Sequence, residues 1–136
     1  MSIAHQKKQF AGHQAEIARL NASIKREEAI VAEELDADWS RVSVEQSPAD
    51  TKVYKNLFMG AQGTGGSTAI ANSWMQLRQA GASARAMFVQ AAAAKWGVPA
   101  AEISVKDSVL THASGKSATF GDLLKDAAKI APPATP

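Results

Sequence analysis

From Thr68 to Trp96 the chain contains no proline. Ile70, Trp74, Leu77, Gly81, Ala84, Phe88 and Ala91 fall three or four residues apart, so they share one face of a helix. At 1.5 Å per residue this helix runs roughly 40 Å. A compact chain of this length has a radius of gyration of only about 14 Å. The helix is therefore the spine of the fold, and the chain reads as part of something larger. Small residues at Gly81 and Ala84 admit a second backbone close to it. Gly97 stops the helix and Pro99 starts a new turn.

The segments on either side are shorter. Ile3 to about Ala37 reads as an amphipathic helix. Ile3, Phe10, Ile17, Ile24 and Val31 recur every seven residues, but Gln6, His13, Glu27 and Glu34 share the second seam position with Leu20. A coiled coil needs both positions apolar, so the stripe is narrow, and a dimerising helix is the alternative. Asp36 to Ser40 ends this helix. Arg41–Glu45 alternates and predicts a short strand. Ser47–Asp50 is a turn cluster, and Val53–Met59 is an apolar patch of undetermined state. Ile103–Val105 and Val109–Thr111 predict a hairpin about Lys106–Ser108, followed by a turn at Ser114–Lys116. Thr119 caps a last helix, Phe120–Ile130, with Asp122 as its capping-box partner. Pro132, Pro133 and Pro136 form a tail. Helix should exceed strand, in an α+β arrangement.

Composition removes several functions. There is no cysteine, hence no disulfide, thiolate nucleophile, iron–sulfur ligation or cysteine zinc site. His5, His13 and His112 are too scattered for a metal signature or a Ser-His-Asp arrangement. Fifteen Lys and Arg against thirteen Asp and Glu leave a net charge of +2, too little to steer a polyanion, so nucleic acid is not expected. Ala80–Ala94 is interrupted by Ser83, Arg85 and Gln90 and predicts no membrane span. The opening residues lack the apolar core of a secretory signal, which makes the cytoplasm the expected compartment. Glu27–Glu28 and Glu33–Asp38 are acidic clusters. They suit general acid–base work only if one carboxyl is buried, and otherwise form a solvated face. Trp39, Trp74 and Trp96 are expected as core anchors.

One stretch carries chemistry. Gly60–Thr68 is the densest glycine run in the chain. Glycines let a ligand approach the amides, the following helix turns its free N–H groups towards the run, and Ser67 and Thr68 add hydroxyls. This suits an anion. It is neither a P-loop, because no lysine follows Gly66, nor a dinucleotide fingerprint, because position 68 is threonine. A plain surface loop with Ser67 capping the helix is the other reading.

Ile30–Asp50, Gly60–Thr68, Ser73–Met87, Ala92–Val98 and Ala118–Leu124 lie in an order and spacing that resembles a known family. This is the molybdopterin-binding large subunit of the xanthine oxidase and aldehyde oxidoreductase family, of the isoquinoline 1-oxidoreductase β-subunit type. The resemblance covers about residues 29–131. The residue patterns give an α+β chain with a long central helix, an N-terminal amphipathic helix and short strands or hairpins, and the resemblance makes it part of a molybdenum-cofactor-binding domain. It implies a molybdenum–pyranopterin cofactor contacted by Gly65, Gly66, Ser67 and Thr68, with Ala69 where many relatives carry another hydroxyl. The implied activity is hydroxylation of N-heteroaromatics or aldehydes with oxygen from water.

The same resemblance places the catalytic glutamate beyond residue 136, so no catalytic or metal-ligating residue is assigned here. Ser23–Glu28 stands where the family carries a Met-Gly-Gln-Gly loop. Residues 1–28 are an unmatched helical segment, 29–131 a partial cofactor-binding domain and 132–136 the tail. The implied partners are the rest of the large subunit and a small subunit with 2Fe-2S clusters. A non-catalytic binding or assembly domain, or a helical dimerisation protein, stands as the alternative.

Overall fold

The structure is a computed structural model that describes residues 27–45, 47–63 and 68–136. Helix α1 occupies residues 27–35. The portion of the expected N-terminal helix before residue 27 lies outside the described residues. Helix α2 is the single turn Thr51–Tyr54, capped by the Asp50 carboxylate, which accepts from the Lys52 amide at 3.0 Å. Helix α3, Ala69–Trp96, is the spine. Three strands follow, β1 Ile103–Lys106, β2 Val109–His112 and β3 Ser117–Thr119, in an antiparallel sheet ordered β1-β2-β3. Helix α4, Phe120–Ala127, closes the chain order.

The carboxyl-terminal half of α3 carries the core. Ala92, Val105, Leu110 and Leu123 form a buried cluster, against which Phe88, Val89, Trp96, Ile103, Ala118 and Phe120 pack. The Phe88 and Phe120 rings stack with centroids 4.3 Å apart. One face of the short sheet thus supplies Val105 and Leu110, while α4 supplies Leu123 and the buried Ala127. Helix α4 starts where the sequence places it. The Thr119 hydroxyl accepts from the Asp122 amide at 3.2 Å, and the Asp122 carboxylate accepts from the Thr119 amide at 2.9 Å. At the other end of α3, Gly97 takes φ +66° and donates its amide to Ala93. The Lys116 ammonium adds a bond of 2.7 Å to the Trp96 carbonyl.

Helix α1 lies across the middle of α3 at Gly81. A Cβ at Gly81 would stand 2.7 Å from both the Val31 carbonyl oxygen and the Glu34 Cβ. Arg78 pairs with Glu34 and Arg85 with Asp36, at 3.4 Å in the second pair. The two arginines are seven residues apart and flank the crossing. The acidic cluster is therefore not simply a solvated face, because two of its carboxylates find cations on α3.

Helix α1 ends at Asp36, which takes φ +60°. Its exit is tied to the β1–β2 hairpin. Asp107 and Ser108 both have positive φ, at 48° and 65°, and Lys106 pairs with Val109, which defines a two-residue turn of the primed type. The Ser108 amide donates to the Asp36 carbonyl at 2.8 Å, and the Ser108 hydroxyl accepts from the Asp38 amide at 2.8 Å.

Two expectations are corrected. Arg41–Glu45 forms no strand: Arg41 closes the 3-10 turn Trp39–Arg41, and residues 42–45 have no regular structure. Alternation alone makes no strand without a neighbour to take its backbone hydrogen bonds. Trp96 packs on the core, but Trp74 and Trp39 do not, being 41% and 52% exposed. The amino-terminal half of α3 projects past the sheet, so the same helical face is covered at Phe88 and bare at Trp74. The Arg78 guanidinium lies over the Trp74 ring instead, 5.5 Å from its centroid.

Candidate functional site

The glycine run leaves a closed loop and enters α3. Of the expected site residues, Gly65, Gly66 and Ser67 lie outside the described residues. Thr68 is the N-cap of α3, which sets aside Ser67 as the cap, and its side chain makes no capping bond to the helix. No acidic residue lies in the first turn of α3. The first turn of α3 thus adds no carboxylate of its own to the positive end of the helix dipole.

The leading half of the run is shaped by one residue that the sequence pattern did not single out. The Asn56 carboxamide oxygen accepts from the Phe58 and Met59 amides at 2.9 and 3.2 Å. Its backbone N–H donates to the Ala61 carbonyl, and its carbonyl accepts from the Gly60 amide at 2.8 Å. Asn72, in the first turns of α3, donates its Nδ2 to the same Oδ1 at 3.0 Å. Asparagine before a glycine-containing turn is the one local signal that pointed here. Gln62 ties the loop back to the preceding turn, donating to the Pro48 carbonyl at 2.8 Å and to Ser47.

Gly60 takes φ +65°, which only glycine adopts without strain. Gly63 has neither a positive φ nor any atom within 4 Å of a would-be Cβ. Packing among the described residues therefore does not require glycine at 63. Leu57, Phe58, Met59 and Met75 are exposed on the same loop and helix start.

Other clusters are differently built. His112 Nδ1 lies 2.8 Å from the Ser114 hydroxyl, and its Nε2 lies 2.9 Å from Glu102. This gives a serine, a histidine and a carboxylate in series, which the sequence did not predict. The Ser114 amide also donates to Nδ1 at 3.1 Å, so the ring nitrogen braces the β2–β3 turn rather than activating the hydroxyl. Burial pushes the Glu27 and Glu28 carboxyls above their ordinary values, and for Glu28 the charge of Glu27 adds to it. An open depression of about 280 Å³ is lined by Ala29, Ala32, Glu33, Asp36, Ala37 and Trp39. None of these belongs to the glycine run. Among the described residues no three His, Asp or Glu gather as a metal site, and no helix is long and apolar enough to cross a membrane.

Among the described residues, Gly63 has open space about it and the first turn of α3 carries no acidic residue. Comparisons with known proteins give the family. A family described as the molybdopterin cofactor-binding domain matches residues 28–135. The β subunit of isoquinoline 1-oxidoreductase from Brevundimonas diminuta is 48% identical over 96 residues, which are 69% of this chain and 12% of that protein. The membrane-bound aldehyde dehydrogenase (pyrroloquinoline-quinone) of Gluconacetobacter polyoxogenes is 35% identical over 95 residues, 70% of this chain and 11% of that protein. The chain thus spans only a small fraction of either relative's length. The match runs through α1, the glycine run, α3, the sheet and α4, and the chain belongs to the molybdopterin cofactor-binding domain family.

Proposed function

We propose that the chain is a partial molybdopterin-binding module of a molybdenum hydroxylase, an oxidoreductase acting on N-heteroaromatics or aldehydes. The family match over residues 28–135, which includes the glycine run, carries this reading. Gly65, Gly66, Ser67 and Thr68 hold the anionic part of a molybdenum–pyranopterin cofactor. The glycines bring amide N–H groups close, and the hydroxyls donate from the start of α3. When bound, that group supplies the two-electron chemistry that transfers oxygen from water to carbon. This chain's own residues orient the cofactor and exclude water from its bound face. The general-base carboxylate and the substrate loops belong to the remainder of the large subunit, and electrons leave through a small subunit with 2Fe-2S clusters.

The test uses the full chain, with inorganic phosphate or a pterin phosphate as probe and melting as readout. Gly66→Val removes the response, because a β-branched side chain blocks close approach and resists positive φ. Ser67→Ala weakens it by about 1.5–3 kcal/mol, the worth of one hydrogen bond to a charged group. An equal response in wild type and both variants overturns the cradle. The purified chain alone turns over no aldehyde or N-heterocycle with an artificial acceptor, since loss of a general base alone typically costs about 10²–10⁴-fold.

A further inference from the structure

We propose that the proton state of the His112 ring opens and closes the β2–β3 turn. No residue of this device belongs to the glycine run.

A backbone N–H can only donate. The Ser114 amide donates to His112 Nδ1 at 3.1 Å, so Nδ1 presents a lone pair. The proton of the neutral ring then sits on Nε2, where the Glu102 carboxylate accepts it at 2.9 Å. The Ser114 hydroxyl, 2.8 Å from Nδ1, rotates to donate or to accept and does not fix the tautomer. The amide does. Its bond reaches back two residues, as when an asparagine side chain accepts from its own backbone two positions on. An asparagine keeps that acceptor whatever the pH. An imidazole loses it when Nδ1 takes a proton.

Charging the ring therefore sets one N–H against another, and one side has to give. The ring is anchored. The His112 side chain is 9% exposed, Ile103 stands opposite it on β1, and its own amide donates to the Lys116 carbonyl at 3.0 Å. The turn is not anchored in this way. Ala113, Ser114 and Gly115 are exposed, and Gly115, at φ +86°, gives the segment backbone freedom. Glu102, on the 3-10 turn Ala100–Glu102, is the carboxylate that meets the ring. The nearby cations are engaged elsewhere. The Lys116 ammonium donates to the Trp96 carbonyl at 2.7 Å, and Lys95 acts on Asp122 and Asp126 of α4. Acidification is thus read at one ring and delivered to the turn that carries Lys116 to the end of α3.

The experiment follows the full chain by NMR at two pH values, one where the ring nitrogen shifts show His112 neutral and one where they show it charged. The neutral ring is expected to carry its proton on Nε2. On charging, the Ser114 amide should lose about tenfold in protection against hydrogen exchange, the worth of roughly one hydrogen bond. The Phe120 amide, which donates to the Ser108 carbonyl, serves as the reference and keeps its protection. His112→Asn retains an acceptor that cannot be charged, so Ser114 stays protected at both pH values. His112→Phe has no acceptor, and Ser114 is unprotected at both. A neutral ring with its proton on Nδ1 overturns the proposal. So does equal Ser114 protection in the two ring states, or a His112→Asn chain that loses protection as the wild type does.

Discussion

Gly81 touches the backbone of Val31. A methyl group at Gly81 would stand 2.7 Å from the Val31 carbonyl oxygen, closer than carbon and oxygen approach without displacement. In an exposed helix interior, Gly→Ala is stabilising by roughly 0.5–1 kcal/mol. Here the sign reverses. Gly81→Ala should destabilise by about 1–3 kcal/mol, because α1 must move off α3 and strain its two ion pairs. Ala80→Gly, at an exposed neighbouring position, should cost only the helix propensity of about 1 kcal/mol. Denaturant melts of the two variants check the contrast. A Gly81→Ala chain more stable than wild type would show that the crossing is loose.

Leu110 is fully buried, in the cluster with Ala92, Val105 and Leu123. Leu110→Ala should cost about 2–5 kcal/mol, the transfer loss plus the cavity left between sheet and helix. This core lies beneath the carboxyl-terminal half of α3, away in sequence from the glycine run. At temperatures where the variant remains folded, its phosphate affinity should match the wild type. A parallel loss of affinity would tie the two ends of α3 together energetically.

Ser108 holds the exit of α1 through its amide and its hydroxyl. Ser108→Ala should cost about 1 kcal/mol, since the Asp38 amide loses its acceptor while the positive φ remains. Ser108→Gly loses the same bond but relieves the left-handed backbone, so it should be the milder change. Thermal melts rank the pair, and the reverse order would contradict the hairpin geometry.

The capping box gives α4 a pH signature. The Asp122 carboxyl is held below its ordinary value, first by the Thr119 hydroxyl and then by the Thr119 amide. A carboxyl depressed in the folded state contributes stability that is fully present above its unfolded value, about 3.9, and is lost as pH falls through the lower folded value. Asp122→Asn should therefore flatten the acid limb of the melting-temperature profile below about pH 4. An acid limb as steep as that of wild type would remove the assignment.

Local chemistry was legible wherever one stretch of chain decides the outcome. The periodicity from Ile70 to Ala91 determined α3, Gly97 its end, and Thr119 with Asp122 the start of α4, because caps and helical faces depend on neighbours within four residues. The small side chain at Gly81 announced a close helix crossing. Glycine density and the two hydroxyls marked the run through Thr68, and the order of motifs marked the family. Long-range geometry decided the rest. Asn56 and Asn72 are sixteen residues apart, and nothing local pairs them. Glu34 and Asp36 look like solvated acids until α3 brings Arg78 and Arg85 beside them. Trp74 repeats the helical phase of Phe88, yet it is exposed because the sheet covers only one end of the helix. A side chain's periodicity states which face it shares, while its burial depends on what the rest of the chain places against that face.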